Sequence, residues 1–350
     1  MELQAAIKEI KPLDQAKMAA ASKRWDSIAK PLHSLGKMEK IVTQIAGITG
    51  DVNVDISKKA LVAVCADNGV VEEGVTQTGQ EVTAIVAENF LNGTTSVCAM
   101  CRKSGTDIFP IDLGMVTDTK VRTDKKIAYG TKNMVKEPAM TREQAIRAIE
   151  AGMEVAEELK NQGYQILATG EMGIGNTTTS SAVASVLLRQ PVEAMTGRGA
   201  GLTSEGLERK IQAIKKAVEL HKPDPEDPID VLAKVGGFDI AGMTGVFLGG
   251  ALCGIPVVID GFISCVAALL AIKICPLAKE YMIASHVSKE PAAHLILKEL
   301  GKEPVLHAEM CLGEGTGAVA LFPFIEMGLE VYHSMSTFED ICVEQYEELV

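Results

Sequence analysis

The chain has 350 residues, 47% of them hydrophobic and only 4% aromatic, with 32 glycines. Such a balance suits closely packed helices and buried strands of Ala, Val, Ile and Leu, in one large α/β unit with an appendage. A formal net charge of −12, with no basic run longer than two residues, excludes a nucleic-acid partner, which needs clustered Lys and Arg. An anionic small molecule stays compatible if local backbone dipoles hold it against the overall field.

The first residues lack the apolar core of a secretory signal, so a cytoplasmic protein is expected. Residues 240–275 are strongly apolar, but Gly254, Pro256, Asp260 and Gly261 cut them into pieces too short to span a membrane. The eight cysteines are expected to stay thiols. Cys98 and Cys101 form a lone C-x-x-C within a helical pattern, short of the ligands zinc needs, and no metal is expected.

In chain order, residues 1–48 read as three helices: Met1–Ile10, Asp14–Lys30 and Leu35–Ile48. Trp25 is expected to pack within this helical unit. From residue 59 the rhythm changes. Ala60–Cys65 is an apolar run of strand length, the pattern of a parallel strand buried on both faces. A helix over 80–102 and a strand over 108–112 follow, the latter placed at an edge by Pro110. Thr141-Arg142-Glu143-Gln144 is a capping box, and the helix behind it stops at Gly163. A strand over 164–169 precedes helices over 176–188 and 203–221. Beyond Asp224-Pro225 come a helix (239–252), a strand (256–259), a helix (262–274), a short strand (281–284) and a helix (289–300). A last helix is expected from Ala318 to Met327 despite Pro323, and the acidic tail 328–350 is expected to return to the N-terminal helices.

Alternating strands and helices imply parallel pairing, right-handed crossovers and a shared carboxyl edge. To that edge the strands deliver Asp67, Asp112, Glu171, Asp260, and Ser285 with His286. Open α/β sheets bind ligands there. The expected fold is therefore α/β and Rossmann-like: a large domain, 51–327, with a parallel sheet flanked by helices. A small helical domain would be built from both termini, 1–50 and 328–350.

Two glycine-rich stretches carry chemistry. Gly173-Ile174-Gly175-Asn176-Thr177-Thr178 lies between a strand and a helix, where bare amides and hydroxyls fit a phosphate. It lacks the Gly-Lys-Ser/Thr ending of a P-loop and the dinucleotide spacing, which argues against a dehydrogenase. Leu312-Gly313-Glu314-Gly315-Thr316-Gly317-Ala318 holds one carboxylate between glycines, so a ligand can approach Glu314 closely. Gly197-Arg198-Gly199-Ala200-Gly201 is a further glycine cluster, with Lys210 beyond it. A serine-hydrolase reading fails for want of G-x-S-x-G.

Lys30-Pro31 with Ser34-Leu35-Gly36, Cys65–Val70, Gly170–Thr178, Val235–Asp239, Leu252–Val257 with Asp260-Gly261-Phe262, Ser285-His286, and Leu312–Ala318 occur in this order. Together they resemble the nicotinate-nucleotide–dimethylbenzimidazole phosphoribosyltransferase family, which activates the lower-ligand base in cobamide synthesis. The resemblance spans nearly the whole chain. It implies a homodimer, with pairing to a paralogue as an alternative, and no cofactor. It also implies transfer of 5-phosphoribose from nicotinate mononucleotide to an aromatic base such as 5,6-dimethylbenzimidazole, with a phenolic or purine acceptor as the variant. On this resemblance Glu314 is the catalytic base and Glu171 lies near the ribose. Gly173, Gly175, Asn176, Thr177, Thr178, Lys210, Ser288, Gly313 and Gly315 bind the nucleotide. Thr78, Val86, Met172, Ile174 and Leu312 form the base pocket. Members best known for benzimidazoles resemble Ser at the Thr78 position and Gln at the Val86 position, so this slot is more apolar and opens to phenols. A nucleotide-binding sensor that keeps the fold without catalysis is the alternative, and retention of Glu314 speaks against it.

Overall fold

A computed structural model of the protein describes residues 2–347. Five strands form one sheet: β1 (Lys59–Ala66), β2 (Thr106–Gly114), β3 (Ile166–Met172), β4 (Val257–Ile259) and β5 (Met282–Ala284). All neighbours pair in parallel, in the order β2-β1-β3-β4-β5. Along β1, Ala60, Val62, Val64 and Ala66 enter one apolar core, whereas Leu61, Ala63 and Cys65 enter the other. Burial on both faces is why this segment is an unbroken apolar run rather than an alternating one. Pro110 sits on β2, an edge strand, where a missing N–H is tolerated.

The chain leaves β1 toward β2, then crosses back to lay β3 on the other side of β1. The crevice at the carboxyl ends of β1 and β3 is thus the topological switch point, where this architecture leaves room for a ligand.

On one face, helices Arg142–Asn161 and Phe238–Cys253 cross with almost no side chain between them. A Cβ on Gly152 would collide with the Gly242 carbonyl, and one on Gly245 with the Ile149 carbonyl. Glycine at the crossing brings the backbones together and buries both helices tightly against the sheet. The capping box at Thr141 forms as expected, with Thr141 and Gln144 bonded reciprocally.

Several element boundaries differ from the sequence expectation. The pattern over 80–102 is two helices, Glu81–Asn92 and Ser96–Ser104. Gly93, at φ +70°, ends the first, and the Thr95 side chain caps the second. The helix expected from 289 starts only at Ala293. The last helix runs from Thr316 to Ser334, through Pro323, because its buried side packs on β3 and on helix Ser96–Ser104. At the N-terminus, Leu3–Ala6 is helical and Ile7–Glu9 tightens to a 3-10 turn; Met1 lies outside the described residues.

Helices Gln15–Ser27 and Lys37–Thr49 pack on each other, and the second also meets the last helix. Trp25 is buried, its ring 4.9 Å from that of Tyr332. Past Ser334 the chain turns back along the first of these helices. Thr337 bridges Ile28, and the Phe338 N–H donates to the Ser27 carbonyl at 3.0 Å. Residues 348–350 of the tail lie outside the described part. No helix among the described residues is long and apolar enough to cross a membrane.

Candidate active site

Two loops from distant parts of the chain meet at the carboxyl end of β3. A Cβ on Gly170 would lie 2.5 Å from the Glu314 carbonyl, so only glycine lets β3 and the 312–315 loop touch. The Glu314 N–H points to Glu171 Oε1 at 3.4 Å. Gly313, Glu314 and Gly315 take φ of +88°, +61° and +92°. For the glycines this costs little; for Glu314 the left-handed conformation costs on the order of 1–2 kcal/mol.

A carboxylate at the end of β4 holds the strained loop in place. Asp260 Oδ1 accepts from the Gly317 N–H at 2.7 Å and the Ala318 N–H at 3.1 Å, while Oδ2 accepts from the Gly315 N–H at 3.2 Å. These are orphan donors of the last helix, satisfied by a buried acid. His286 Nε2 lies 3.9 Å from the same carboxylate. Gly317 is obligatory here, because a Cβ would strike the His286 ring.

The other loop begins where β3 ends. Gly175, at φ +94°, precedes helix Asn176–Leu187, whose first turn faces the crevice. Asn176 Nδ2 donates to Glu171 Oε2. Buried Lys210 donates from Nζ to Thr177 Oγ1 at 2.8 Å and to the Gly197 carbonyl at 3.2 Å. An ammonium and a helix start thus converge on one spot, as an anion requires.

Between the loops lies a cavity of about 220 Å³. Of the expected nucleotide residues, Glu171, Gly173, Gly175, Asn176, Thr177, Lys210, Ser288 and Gly313 line it. Thr78, Met172, Ile174 and Leu312 of the expected base pocket line it too. Thr178 and Gly315 lie buried behind the wall, as supports rather than lining. The Glu314 side chain turns from the cavity lining toward helix Ser96–Ser104, its Oε2 3.5 Å from the Val97 N–H. Val86 is half-buried on helix Glu81–Asn92, also outside the lining. That helix joins the cradle through Thr83, whose Oγ1 accepts from the Ile174 N–H at 3.1 Å.

The electrostatics are unusual for so acidic a region. Burial, then the charges of Asp239 and Asp260, push Glu171 up to about 8. Burial also raises Asp239 to about 6, although Ile240 N–H, Asn68 and Asn176 bond to it. Asp260 is raised chiefly by burial as well. Glu314 is raised by burial and partly restored by the Val97 N–H and the Thr95 hydroxyl. Burial lowers Lys210 to about 8, opposed by the charge of Glu290. Three buried acids beside one lysine leave the crevice short of positive charge.

Sequence patterning points to Asp260 as one strand-end acid among several and gives it no role. Asp239 and Asn68 lie in motifs that carry the family resemblance but are given no role there either, although Asn68 Nδ2 donates to Asp239 Oδ2 at 3.2 Å beneath the cradle. Their signal is only an acid opening an apolar helix and an amide after a strand, which any N-cap or turn supplies. Asp260→Ala is expected to lower turnover about a hundredfold, the scale of misplacing a catalytic group by 1 Å. Steady-state kinetics beside a melting curve would check this; near-normal turnover in a folded variant would remove the anchor role.

A parallel sheet with an anion cradle and an opposed carboxylate loop at its switch point suits transfer of a phosphorylated sugar, and the comparisons agree. A phosphoribosyltransferase family model matches residues 10–343. This chain is a phosphoribosyltransferase. It is 50% identical, over the full length of both chains, to the nicotinate-nucleotide–dimethylbenzimidazole phosphoribosyltransferase of Clostridium acetobutylicum. Identity to the same-named enzyme of Acetivibrio thermocellus is 49%, over 97% of this chain and 98% of that one. The crystal structure of CobT from Thermus thermophilus superposes with a TM-score of 0.88 at 37% identity, over 95% of this chain and 100% of that chain. The chain belongs to the nicotinate-nucleotide–dimethylbenzimidazole phosphoribosyltransferase family.

Proposed function

We propose that this protein moves 5-phosphoribose from nicotinate mononucleotide to a ring nitrogen of an aromatic base, giving the α-riboside 5′-phosphate and nicotinate for a cobamide nucleotide loop. The observation that carries the reading is the group of buried acids at the phosphate cradle, Glu171 and Asp260 lining the cavity and Asp239 beneath it. The pyridinium of the donor and the cationic ribose of its transition state bring the positive charge that Glu171, Asp239 and Asp260 lack. The cradle amides, Thr177 and Lys210 take the phosphate, and Glu171 lies along the ribose.

The bond from C1′ to the pyridinium nitrogen breaks with its electron pair going to nicotinate, which leaves as a neutral ring nitrogen. The incoming nitrogen bonds to C1′ from the opposite face, inverting it. That nitrogen supplies its lone pair to the new bond, and the proton on the ring's other nitrogen, made acidic by the alkylation, passes to Glu314, acting as general base. Burial makes that carboxylate a better proton acceptor than a solvated one, and the Val97 N–H with Thr95 keeps it oriented. The protein works as a homodimer in the cytoplasm; exposed Ile85 and Leu91 on helix Glu81–Asn92 offer apolar surface for a second copy.

A competition assay with mixed benzimidazoles, purines and phenols tests the reaction and its acceptor together. Nicotinate release with at least one of these acceptors is expected. Tight nucleotide binding with no release from any of them would leave only a sensor. A phenolic acceptor, bonded through its oxygen, is the alternative: on the family resemblance Val86 stands where a glutamine would bond a second ring nitrogen. Val86→Gln is expected to shift preference toward benzimidazole over p-cresol, and an unchanged ratio would place the slot elsewhere.

A further inference from the structure

The glycine cluster at 197–201 is held from both sides. On one side the Gly199 N–H donates to Glu290 Oε1 at 3.1 Å. On the other, Gln77 Nε2 donates to the carbonyls of Ala200, at 3.1 Å, and of Gly201. The cluster fits only because it lacks side chains: a Cβ on Gly199 would lie 2.8 Å from Thr177 Oγ1, and one on Gly197 would strike Glu290. Its Gly197 carbonyl accepts from Lys210 Nζ, so the loop sets where the ammonium sits.

Glu290 lines the cavity, yet its Oε2 is buried and has no hydrogen-bond partner. Leaving a buried carboxylate oxygen unsatisfied is costly unless a nearby cation compensates. The charge that reaches Lys210 is that of Glu290. Arg198, on the same loop, is exposed and committed to the Leu202 carbonyl and Ser204. Thr177 and the carbonyl of Gly197 are neutral.

We propose that Glu290 is a positioning residue for Lys210. One carboxylate oxygen clasps the glycine loop over the phosphate end of the cavity, and the other supplies the counter-charge that keeps the buried ammonium protonated. The proposal rests on Lys210 serving the donor's phosphate.

Glu290→Gln keeps an acceptor for the Gly199 N–H and removes only the charge; Glu290→Ala removes both. In steady-state assays from pH 6.5 to 9.5, Glu290→Gln is expected to move the alkaline limb of kcat/KM for nicotinate mononucleotide down by about one pH unit. At pH 8.5 its KM should rise about tenfold, one unit of pKa being a factor of ten, with kcat at saturation changed less than about threefold. Glu290→Ala is expected to raise KM across the whole range. A wild-type KM and alkaline limb in Glu290→Gln would overturn the proposal, even if Glu290→Ala failed to fold. Lys210→Ala separates the two levels. If it leaves KM unchanged, the phosphate reading of Lys210 falls. If it raises KM while the Glu290 variants do not, only the clasp falls.

Discussion

Glu314→Gln is expected to keep nucleotide binding and lose turnover by roughly a hundredfold to ten-thousandfold, the usual range for removal of a general base. The amide has the shape of the acid and can sit in the same left-handed turn, because the loop is set by Asp260 and its glycines rather than by the Glu314 side chain. Nucleotide contacts are made by other residues, so the dissociation constant should move little. Loss should be graded by acceptor. A phenol must lose its proton to become a good nucleophile, whereas an azole attacks through a free lone pair and sheds its proton readily once alkylated. The phenol should therefore depend on the base more steeply. Isothermal titration with nicotinate mononucleotide, beside nicotinate release with two acceptors, would test this. Turnover within threefold of wild type would take the proton from Glu314 and give it to another group or to solvent.

The second large effect is on pH. At neutral pH Glu171 is mostly protonated, because burial and two neighbouring acids hold it up to about 8. A pyridinium nucleotide favours the ionised form. Affinity should therefore rise as pH rises toward 8, by up to about tenfold per unit where only the ionised form binds, and binding should release a proton. Above 8, Lys210 loses its charge and phosphate binding weakens. The optimum is expected near pH 8, with the acid side flattened by Glu171→Gln. Titrations in buffers of different ionisation enthalpy would count the proton; a flat profile from pH 6 to 8 would sink this account.

Stability of the unliganded protein should move the other way. Folded Glu171 holds its proton up to about 8, whereas the unfolded chain gives it up near 4.5. The folded state thus binds more protons within that window. Its contribution is fully present below 4.5 and is lost as pH rises through 8, by up to about 1.4 kcal/mol per unit. Melting temperature at pH 8 should accordingly rise in Glu171→Gln.

Much of the architecture is legible in the residues. Every run expected to be a strand is one, and the pattern is clearest in β1, where burial on both faces leaves little choice of composition. Pro110 marks the β2 edge for the same backbone reason that keeps proline out of central strands. Both glycine loops reach one cavity, since each follows a parallel strand or leads a helix at the shared edge. What escapes the sequence is tertiary. The pattern over 80–102 reads as one helix, because its apolar spacing carries across Gly93; the Thr95 cap that starts a second helix shows only in the structure. Asp260 looks like any strand-end acid until three amides converge on it. Glu290 has no local signature, because its partner Gly199 lies 91 positions away. The direction of the Glu314 side chain depends on helix Ser96–Ser104, which no spacing rule connects to it.

The contact between Glu171 and the Glu314 amide joins positions 143 apart in the chain. During synthesis the cradle emerges long before the acid that faces it, and the anchor at Asp260 has nothing to grip until Gly315–Ala318 are made. Nascent protein can therefore gain no help from its own donor nucleotide until the last long helix has left the ribosome. A chain cut short before Thr316 should be inert, and no amount of nucleotide should rescue it.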